Sequence, residues 1–457
     1  MTAPEGIARM SEPPPPEYVE VERALLRRWP ETRLEPSLDR IGKLVDLLGN
    51  PQTNYPVLQL TGTNGKSSTA RMVDALLRSM GLRTGRFTSP HLQSMTERIS
   101  IDGEQLSFEG FTRLYAEVSP YAGIVDRSSA HPLSFFELVT GMAYAAFADA
   151  PADAAVVEVG MGGSWDATSV VDAQVAVVTP IAVDHEQYLG DTPELIAAEK
   201  AGIIKAGAMA VLADQTPEAA QVLLQRAAEV GATVAREGVE FGVSSRVPAL
   251  GGQSLVLQGL TREYDEVFLP LFGEHQARNA ALALAAVEGF AGGVDLDPDV
   301  VREAFVDVTS PGRLEVARRS PAIVLDAAHN PAGARATVAA VQEAFTFSPL
   351  IGVLGVMADK DVAGMLDAFE PIFAEVVCTQ ASTARALPAG ELGDMAAGVF
   401  GSDRVHVSRR LDDAIDLAVT LAEQGGESGE AIGSGGVLVT GSVVTVGEVR
   451  GLLGGTP

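Results

Sequence analysis

The chain has 457 residues, a formal net charge of −27 and a single cysteine, Cys378. At about 150 residues per domain, this length allows two or three domains with full hydrophobic cores. The negative charge repels nucleic-acid phosphates and argues against duplex DNA or RNA as a partner, and one cysteine excludes both an internal disulfide and a cysteine-based metal cluster. A small anion such as ATP remains compatible wherever backbone N–H groups, lysines and metal ions reverse the field locally.

The N-terminal segment shows no export or membrane signal. It lacks a basic start followed by an apolar run, and apolar stretches such as Ala154 to Val159 fall far short of the ~18 residues of a membrane-spanning helix. Four prolines, Pro13 to Pro16, predict that residues 1–20 form a flexible arm. Together with the low cysteine content, these features predict a cytoplasmic protein without a membrane partner.

Short β-branched runs alternate with longer Ala- and Leu-rich segments, which is the pattern of parallel strands connected by helices. The segment Gly251 to Leu271 instead alternates apolar and polar residues around a polar turn, which predicts two antiparallel strands at a sheet edge. In chain order, the first part of the sequence predicts strands at 55–60, 154–159, 175–179 and 210–213 and helices at 67–80, 192–201, 218–230 and 274–290.

A second alternating series begins near Pro321, after the turn-forming cluster Thr309 to Gly312. We therefore predict a doubly wound α/β fold with a larger domain over residues 21–309 and a smaller, Rossmann-like α/β domain over residues 310–457. The glycine-rich stretch Gln424 to Gly436 is predicted to be a surface loop. Strands of the second domain are predicted at 323–326, 351–354, 376–379 and 437–440.

The segment Thr61 to Ser68 (TGTNGKSS) lies between a predicted strand and a predicted helix. This order is typical of a phosphate-binding loop, or P-loop: glycines let consecutive N–H groups face a phosphate, a lysine adds positive charge, and a hydroxyl reaches Mg²⁺. The strict G-x-x-x-x-G-K-[ST] form is not met because Leu60 replaces its first glycine, and the alternative is a glycine-rich turn that only caps a helix. We predict a P-loop ATPase domain with the ATP-binding residues Gly62, Thr63, Asn64, Gly65, Lys66, Ser67 and Ser68, of which Lys66 is also catalytic.

Segments spread along nearly the whole chain, from about Leu38 to the C-terminus, resemble the folylpolyglutamate synthase and dihydrofolate synthase family of the Mur ligase superfamily. No single short motif is decisive, and their order and spacing carry the resemblance. It implies an ATP-dependent ligase that phosphorylates a carboxylate and then joins it to the amine of L-glutamate. The segments are TGTNGK (61–66), TSPHL (88–92), EVGMGG (158–163), Asp184-His185, EKAGII (199–204), GEHQARNA (273–280), PGRLE (311–315) and DAAHNP (326–331).

A hydroxyl at Ser89, a carboxylate at Glu158 and an imidazole at His185 each follow the end of a predicted strand. Ligands collect at the carboxyl ends of the strands in an open α/β sheet, so these side chains could meet at one ion. Mixed oxygen and nitrogen ligands suit Mg²⁺ or Mn²⁺ when water and phosphate oxygens complete the shell. The resemblance assigns the three to Mg²⁺ and makes His185 catalytic. The alternatives are a turn at Ser89, a loop cap at Glu158 and a core histidine at His185.

The resemblance also implies ATP contacts outside the P-loop, at Asn279, Arg313, Asp326 and His329. Arg313 lies at the predicted domain junction, where a guanidinium could reach the phosphates. Its alternative role is a surface ion pair with Glu315, and the alternative for Asp326 is the N-cap of the following helix.

The resemblance implies a pterin or substrate region as well, where phenylalanine rings could stack on a planar heterocycle. A plain core role for these rings remains open. The family's usual arginine and asparagine in this region are replaced by Ser164 and Ser169, so substrate preference can differ. The implied substrate-binding residues are Asp39, Arg40, Phe135, Phe136, Glu137 and Asp166.

Lys200 lies at the end of a predicted helix, where a solvated lysine is favoured by the helix dipole. The resemblance implies a more specific role, because its position matches a catalytic lysine that is carbamylated in related ligases. The expected substrates are ATP, L-glutamate and either dihydropteroate or reduced folates, and we expect a monomer. The sequence leaves two alternatives: a cell-wall Mur ligase, for which 61 residues before Gly62 are too few for a separate sugar-nucleotide domain, and a P-loop switch that only hydrolyses nucleotide.

Overall fold

The computed structural model of the protein describes residues 13–29, 36–424 and 435–455. Its N-terminal domain contains one long sheet, one short sheet and the helices that cover them. In chain order the elements are α1 (Pro16–Leu26), α2 (Asp39–Leu47), β1 (Val57–Thr61), α3 (Lys66–Ser79), β2 (Thr84–Phe87), β3 (Ile99–Ile101), β4 (Glu104–Gln105), α4 (Phe108–Ser128), α5 (Phe135–Asp149), β5 (Ala154–Glu158), β6 (Val175–Val178), α6 (Glu186–Leu189), α7 (Pro193–Lys200), β7 (Met209–Leu212), α8 (Pro217–Val230), β8 (Thr233–Arg236), β9 (Gly242–Ala249), β10 (Gly252–Gln258), β11 (Glu263–Leu269), α9 (Glu274–Phe290) and α10 (Pro298–Val306).

The long sheet has the strand order β4-β3-β2-β5-β1-β6-β7-β8. The strands from β2 to β8 in this order pair in parallel, whereas β3 and β4 are antiparallel. On β1, Leu58 and Leu60 pack into the hydrophobic cluster that contains α3 and α9, while Val57 packs into the opposite cluster with α4 and α5. Both faces are therefore covered, as expected for a doubly wound parallel sheet, and the predicted fold class is confirmed.

The short sheet corrects one prediction. Strands β10 and β11 form from the alternating segment as expected, but they pair with β9 in a separate sheet of order β11-β10-β9 rather than at an edge of the long sheet. The alternation indicated a sheet with one buried face, and the short sheet has such a face: Leu255 and Leu257 are buried in the hydrophobic cluster that contains α9 and α10. Strand β9 was not predicted, because none of its residues is buried and it lacks an apolar pattern.

The C-terminal domain is a smaller α/β unit with the strand order β12-β13-β17-β14-β15-β16, in which only β12 is antiparallel. It confirms the predicted Rossmann-like arrangement. The predicted limits of the two domains, at residues 309 and 310, fall between α10 and β12 and stay a prediction. The elements are β12 (Glu315–Arg319), β13 (Ala322–Leu325), α11 (Pro331–Ala344), β14 (Leu350–Leu354), α12 (Val362–Phe369), β15 (Glu375–Cys378), α13 (Ala389–Phe400), β16 (Val405–Val407), α14 (Leu411–Gln424), β17 (Gly436–Thr440) and α15 (Val443–Leu452).

The predicted flexible arm at residues 1–20 is wrong for its last part. Pro16 is the first residue of α1, a position that proline favours because its missing N–H would have no partner there. Tyr18, Val21 and Leu25 are buried, so α1 packs on the core instead of extending into solvent. Residues 1–12 lie outside the described residues, as does most of the predicted glycine-rich loop, residues 425–434. Within the described part of the chain, no helix has the length and apolar character needed to cross a membrane.

Candidate active site

A cavity of about 530 Å³ lies between the two domains at the carboxyl ends of β1, β5 and β6. It brings together the whole predicted ATP-binding and metal-binding set. From the N-terminal domain come the P-loop residues Gly62 to Ser68, Ser89, Glu158, His185, Lys200 and Asn279, and across the cavity lie Arg313, Asp326 and His329.

The P-loop is held tightly by the neighbouring strand. Gly62 has a φ of +142°, and a Cβ there would lie 1.9 Å from Thr179 Oγ1, so only glycine fits. The N–H of Thr63 donates to the carbonyl of Pro180 (3.0 Å), and its hydroxyl donates to that of Ala182 (2.9 Å). These bonds fix the loop between the ends of β1 and β6, and α3 begins directly at Lys66.

Two lysines converge on this loop. Lys66 Nζ donates to the carbonyls of Gly62 and Thr63, both at 3.1 Å, and Lys200 Nζ donates to the same Gly62 carbonyl at 2.8 Å. Burial lowers the pKa of Lys66, against the raising effect of Glu158 and Asp184. Burial, assisted by the charge of Lys66, lowers the pKa of Lys200 to about 7. Lys200 is therefore a buried group of the cleft, not a solvated lysine at a helix end.

Glu158 lies at the end of β5 and is almost fully buried. Ser67 Oγ donates to its Oε1 (2.9 Å), and the N–H of Ser89 donates to its Oε2 (3.2 Å). Burial raises the pKa of Glu158, and Lys66 and these hydrogen bonds oppose the rise. Of the two serines left open by the sequence, Ser67 faces Glu158, whereas Ser68 Oγ lies 2.9 Å from Ser310 Oγ.

His185 follows β6 in a left-handed backbone conformation, with a φ of 55°. Its N–H donates to Asp184 Oδ1 (2.8 Å). Burial lowers the pKa of His185 to about 4, so the imidazole is neutral at physiological pH and has a lone pair to share. The described residues contain no cluster of three or more His, Cys, Asp and Glu side chains with metal-binding geometry. The carboxylate, hydroxyl and imidazole here nevertheless fit a Mg²⁺ ion whose remaining ligands are water and phosphate oxygens.

Arg313 is a cation without a protein partner in the cleft: its guanidinium forms no hydrogen bond or ion pair with any described residue. Glu315 pairs with Arg450 instead (3.0 Å), so the alternative of an Arg313–Glu315 ion pair is wrong. Asn279, in the second turn of α9, lies close to the P-loop, since a Cβ on Gly65 would be 2.7 Å from its Oδ1. Both residues are placed to meet a nucleotide bound to the P-loop.

Asp326 lines the cavity, but its carboxylate is fully used by its own domain. It accepts hydrogen bonds from the N–H groups of Leu314 and Ala328 (both 3.0 Å) and from the hydroxyl of Thr337 (2.7 Å). The alternative of an N-cap is wrong, because Asn330 caps α11. Ring atom His329 Nδ1 lies 3.0 Å from the Ala327 carbonyl, and burial lowers the pKa of His329 to about 4.

The predicted substrate-binding residues do not line this cavity, and their role in substrate binding stays a prediction. Arg40 forms an ion pair with Glu137 (3.0 Å), which also caps α5 together with Ser134. Phe135 is buried in the core under the guanidinium of Arg98, and Asp39 is the first residue of α2. Phe136 comes nearest to the cleft: a Cβ on Gly160, which lines the cavity, would lie 2.6 Å from its ring.

The two serines that replace the family's arginine and asparagine are engaged within the protein. Ser164 Oγ donates to the carboxylate of Glu199 (2.6 Å), and Ser169 Oγ donates to the carbonyl of Gly163 (2.5 Å). Asp166 accepts from Thr168 Oγ1 (2.5 Å) and from the N–H of Met161 (3.0 Å). This segment therefore supports its own loop rather than presenting free polar groups.

Several residues of the site were not singled out from the sequence. Lys360 Nζ contacts Asp184 Oδ1 at 2.5 Å, and Asn330 exchanges side-chain hydrogen bonds with Asn64 of the P-loop (3.1 and 3.3 Å). Lys360 follows β14, and its position after the end of a strand was the signal in the sequence that could have identified it as a site residue. At the opposite end of α11, Glu343 forms a two-point ion pair with Arg246 of β9 (2.6 and 2.7 Å), and both line the cavity.

The fold and the site together define a P-loop ligase of the Mur type. The family model for the Mur ligase middle domain matches residues 60–287, and that for the Mur ligase glutamate ligase domain matches residues 312–443. A dihydrofolate synthase/folylpolyglutamate synthase of Mycobacterium tuberculosis is 50% identical over 96% of this chain and 94% of its own length, and one of Bacillus subtilis is 30% identical over 93% and 97%. The chain therefore belongs to the dihydrofolate synthase/folylpolyglutamate synthase family of Mur ligases.

Solved structures agree with this assignment. The structure of M. tuberculosis folylpolyglutamate synthase complexed with ADP superimposes with a TM-score of 0.94 at 50% identity, covering 96% of this chain and 99% of that one. An FPGS–AMPPCP–folate complex superimposes with a TM-score of 0.82 at 29% identity, covering 95% and 99%. Each similarity spans both domains and the cleft between them.

Proposed function

We propose that the protein uses ATP to join L-glutamate to dihydropteroate, to reduced folates or to both, releasing ADP and phosphate. The observation that carries this proposal is the cleft, where a P-loop with Lys66 and the buried Lys200 on one domain faces the unpaired guanidinium of Arg313 at the start of the other. Relatives with the same two domains bear the names dihydrofolate synthase and folylpolyglutamate synthase.

The reaction has two steps in this proposal. A carboxylate oxygen of the pterin substrate attacks the γ-phosphorus of ATP, the bond to the β-phosphate oxygen breaks, and ADP leaves. The glutamate amine then attacks the acyl phosphate carbon, phosphate leaves, and the amine releases a proton. Such phosphoryl transfer depends mainly on positioning and charge neutralisation, which Lys66 and Arg313 supply here as cations.

Glu158, His185 and Ser89, with Ser67 beside them, would hold Mg²⁺. When bound, the ion supplies positive charge to the phosphate oxygens. The protein's own part is to oppose, through Lys66 and two hydrogen bonds, the rise in the pKa of Glu158 that burial causes, and to keep His185 neutral by burial. Mn²⁺ is a second candidate ion for the same ligands.

We further propose that Lys200 is carbamylated. Carbon dioxide adds to a neutral amine and releases one proton, and a pKa of about 7 makes that amine available at physiological pH. The product is an anion beside the P-loop, where it would offset the charge of Lys66 and bind Mg²⁺ or its waters.

The deciding experiment supplies the purified protein with ATP, Mg²⁺ and L-glutamate, together with either dihydropteroate or a reduced folate. A product heavier by one glutamyl unit, in either arm or both, identifies the pterin substrate. ADP release that needs both the pterin and glutamate supports a ligase. ADP release without glutamate would instead indicate a P-loop switch, and turnover only with a sugar-nucleotide peptide would indicate a cell-wall ligase.

We also propose that the protein acts in the cytoplasm as a monomer. The support for the cytoplasm is the single cysteine, which is buried at the end of β15. Sedimentation analysis at micromolar concentration tests the monomer, and a dimer mass would contradict it.

A further inference from the structure

One buried ion pair joins the two domains beside the candidate metal site. Asp184 belongs to the loop after β6, and Lys360 belongs to the turn between β14 and α12. Their charged atoms lie 2.5 Å apart, and both side chains are only 8% exposed. Asp184 Oδ2 also accepts a hydrogen bond from Asn330 Nδ2 (3.1 Å) of the C-terminal domain.

The same carboxylate fixes the residue that follows it. Asp184 Oδ1 accepts from the N–H of His185 (2.8 Å), in the left-handed conformation that turns the imidazole into the cleft. The Lys360 ammonium contacts this same Oδ1 atom at 2.5 Å. Asp184 thus connects the C-terminal domain to the backbone of His185.

Lys360 is held in place for this contact by its own domain. Its N–H donates to the carbonyl of Met357 (3.2 Å), and the next residue, Asp361, caps α12 through Gly364 (2.9 Å). On the other side, Asp359 pairs with Arg385 (2.9 Å) within the same domain. The position of the ammonium group relative to Asp184 therefore depends on how the two domains sit, not on a flexible turn.

Charge burial makes this pair sensitive to domain position. Removing one partner from a buried ion pair leaves an uncompensated charge and is strongly unfavourable, whereas in an open cleft water solvates both groups. The closed arrangement therefore needs Lys360, and the open arrangement does not.

We propose that Lys360 is a positioning residue for the ligase reaction: by closing on Asp184, it holds the loop of His185 in its working geometry only when the two domains are together. This inference rests on the proposed function for its kinetic part. Its structural part concerns domain closure alone and is testable without any ligation.

The test compares Lys360→Met, which keeps the length of the side chain and removes its charge, with Arg385→Met as the matched control. Arg385 makes an ion pair in the same turn that stays within one domain. Spin labels at Val239→Cys and Val407→Cys, exposed positions on opposite domains, report the interdomain distance, and the native Cys378 is buried. We expect a longer or broader distance distribution for Lys360→Met, and an unchanged one for Arg385→Met and for Lys360→Arg.

Kinetics give the second readout. For Lys360→Met we expect kcat to fall by about 10- to 100-fold, because a misplacement of about 1 Å at the reacting groups costs up to about 100-fold in rate. The KM for ATP should change less, because the P-loop stays intact and only the contacts from Arg313 and His329 are affected. Lys360→Arg should recover part of kcat, and Asp184→Asn combined with Lys360→Met should cost little more than either alone. An unchanged interdomain distance in Lys360→Met overturns the proposal whether or not the protein ligates glutamate, whereas an altered distance without ligase activity in the unmutated protein contradicts only the proposed function.

Discussion

Lys66 and Lys200 donate to one carbonyl oxygen, that of Gly62, although they come from different helices. Two ammonium groups at one acceptor repel each other, and this repulsion contributes to the lowered pKa of Lys200. An anion that reaches the P-loop relieves the repulsion. The arrangement therefore favours a phosphate group beside the two lysines, at the N-terminus of α3.

Replacing Lys66 by alanine is expected to remove ATP turnover without unfolding the protein. Loss of one preorganised charge at a transferring phosphoryl group costs about 100- to 1,000-fold in kcat, while the lysine contributes little to the core. Lys66→Arg should not restore turnover, because a planar guanidinium is wider than an ammonium group and cannot replace its compact charge at the Gly62 and Thr63 carbonyls. The measurements are ADP release and thermal unfolding. Normal turnover in folded Lys66→Ala would contradict the P-loop assignment.

Ser89, Glu158 and His185 are expected to act as one metal-binding unit. Single substitutions to alanine should each reduce activity, and combined ones should cost far less than the sum. Higher Mg²⁺ should partly restore Ser89→Ala, which removes one neutral ligand, and restore Glu158→Ala much less. Mg²⁺ titrations of activity provide the measurement, and a His185→Ala enzyme with unchanged activity and Mg²⁺ dependence would exclude the shared role.

Carbamylation of Lys200 predicts a dependence on carbon dioxide and pH. The pKa of Lys200 is lowered to about 7, so the neutral amine that carbon dioxide needs is abundant above pH 7 and is lost as the pH falls through that value. Activity in CO₂-depleted buffer should therefore recover with added bicarbonate at pH 8 but poorly at pH 6. Lys200→Ala should be nearly inactive and partly rescued by acetate or formate. A crystal structure at neutral pH with an unmodified Lys200 that points into solvent would refute the modification.

At the scale of elements, helix α15 approaches the N-terminal domain unusually closely. A Cβ on Gly447, in the middle of this helix, would lie 2.0 Å from the carbonyl oxygen of Leu92, a backbone atom that cannot rotate away. Leu92 belongs to the loop that begins at Ser89. Glycine costs about 1 kcal/mol in a helix interior relative to alanine, and the close contact explains its presence here.

Gly447→Ala is expected to separate α15 from the Ser89 loop and to lower kcat. Alanine favours the helix by about 1 kcal/mol, but overpacking against a fixed backbone atom costs about 1–3 kcal/mol, so the net effect is unfavourable. Gly451→Ala is the matched control in the same helix, because its Cβ would meet only the end of the Gln93 side chain at 3.4 Å. Steady-state kinetics of the two variants test this. Equal activities would show that the contact has no role.

The sequence predicted those features of the site that depend on residues close to one another in the chain. Strand, glycines, lysine and hydroxyl follow one another within the P-loop, and Glu158 and His185 follow strands whose ends must meet in a parallel sheet. The partners of Arg450 and Lys360 could not be predicted, because these contacts join residues 135 and 176 positions apart in the chain. The sequence did not decide whether Phe135 packs in the core or contacts a ligand, because an aromatic side chain suits both roles. The packing of α5 places it in the core.

At the scale of the whole molecule, the candidate cleft is formed by both domains, which place Arg313 and His329 in the same cavity as the P-loop. Water exclusion matters for this chemistry because an acyl phosphate hydrolyses readily in solvent. Closing contacts occur at several separate places: Asp184 with Lys360, Asn64 with Asn330, and Arg246 with Glu343. Together these contacts define one relative orientation of the two domains.

Helix α11 carries two of these contacts, at Asn330 beside the P-loop and at Glu343 beside β9. Its 14 residues span about 20 Å as a rigid rod, so neither end can leave the N-terminal domain without moving the other. We therefore expect ADP, phosphate and the glutamylated pterin product to leave together when the cleft opens, and not one after another. Rapid-mixing measurements should show free ADP and free phosphate appearing at the same rate in the first turnover, and phosphate that escapes well before ADP would mean that the cleft opens one end at a time.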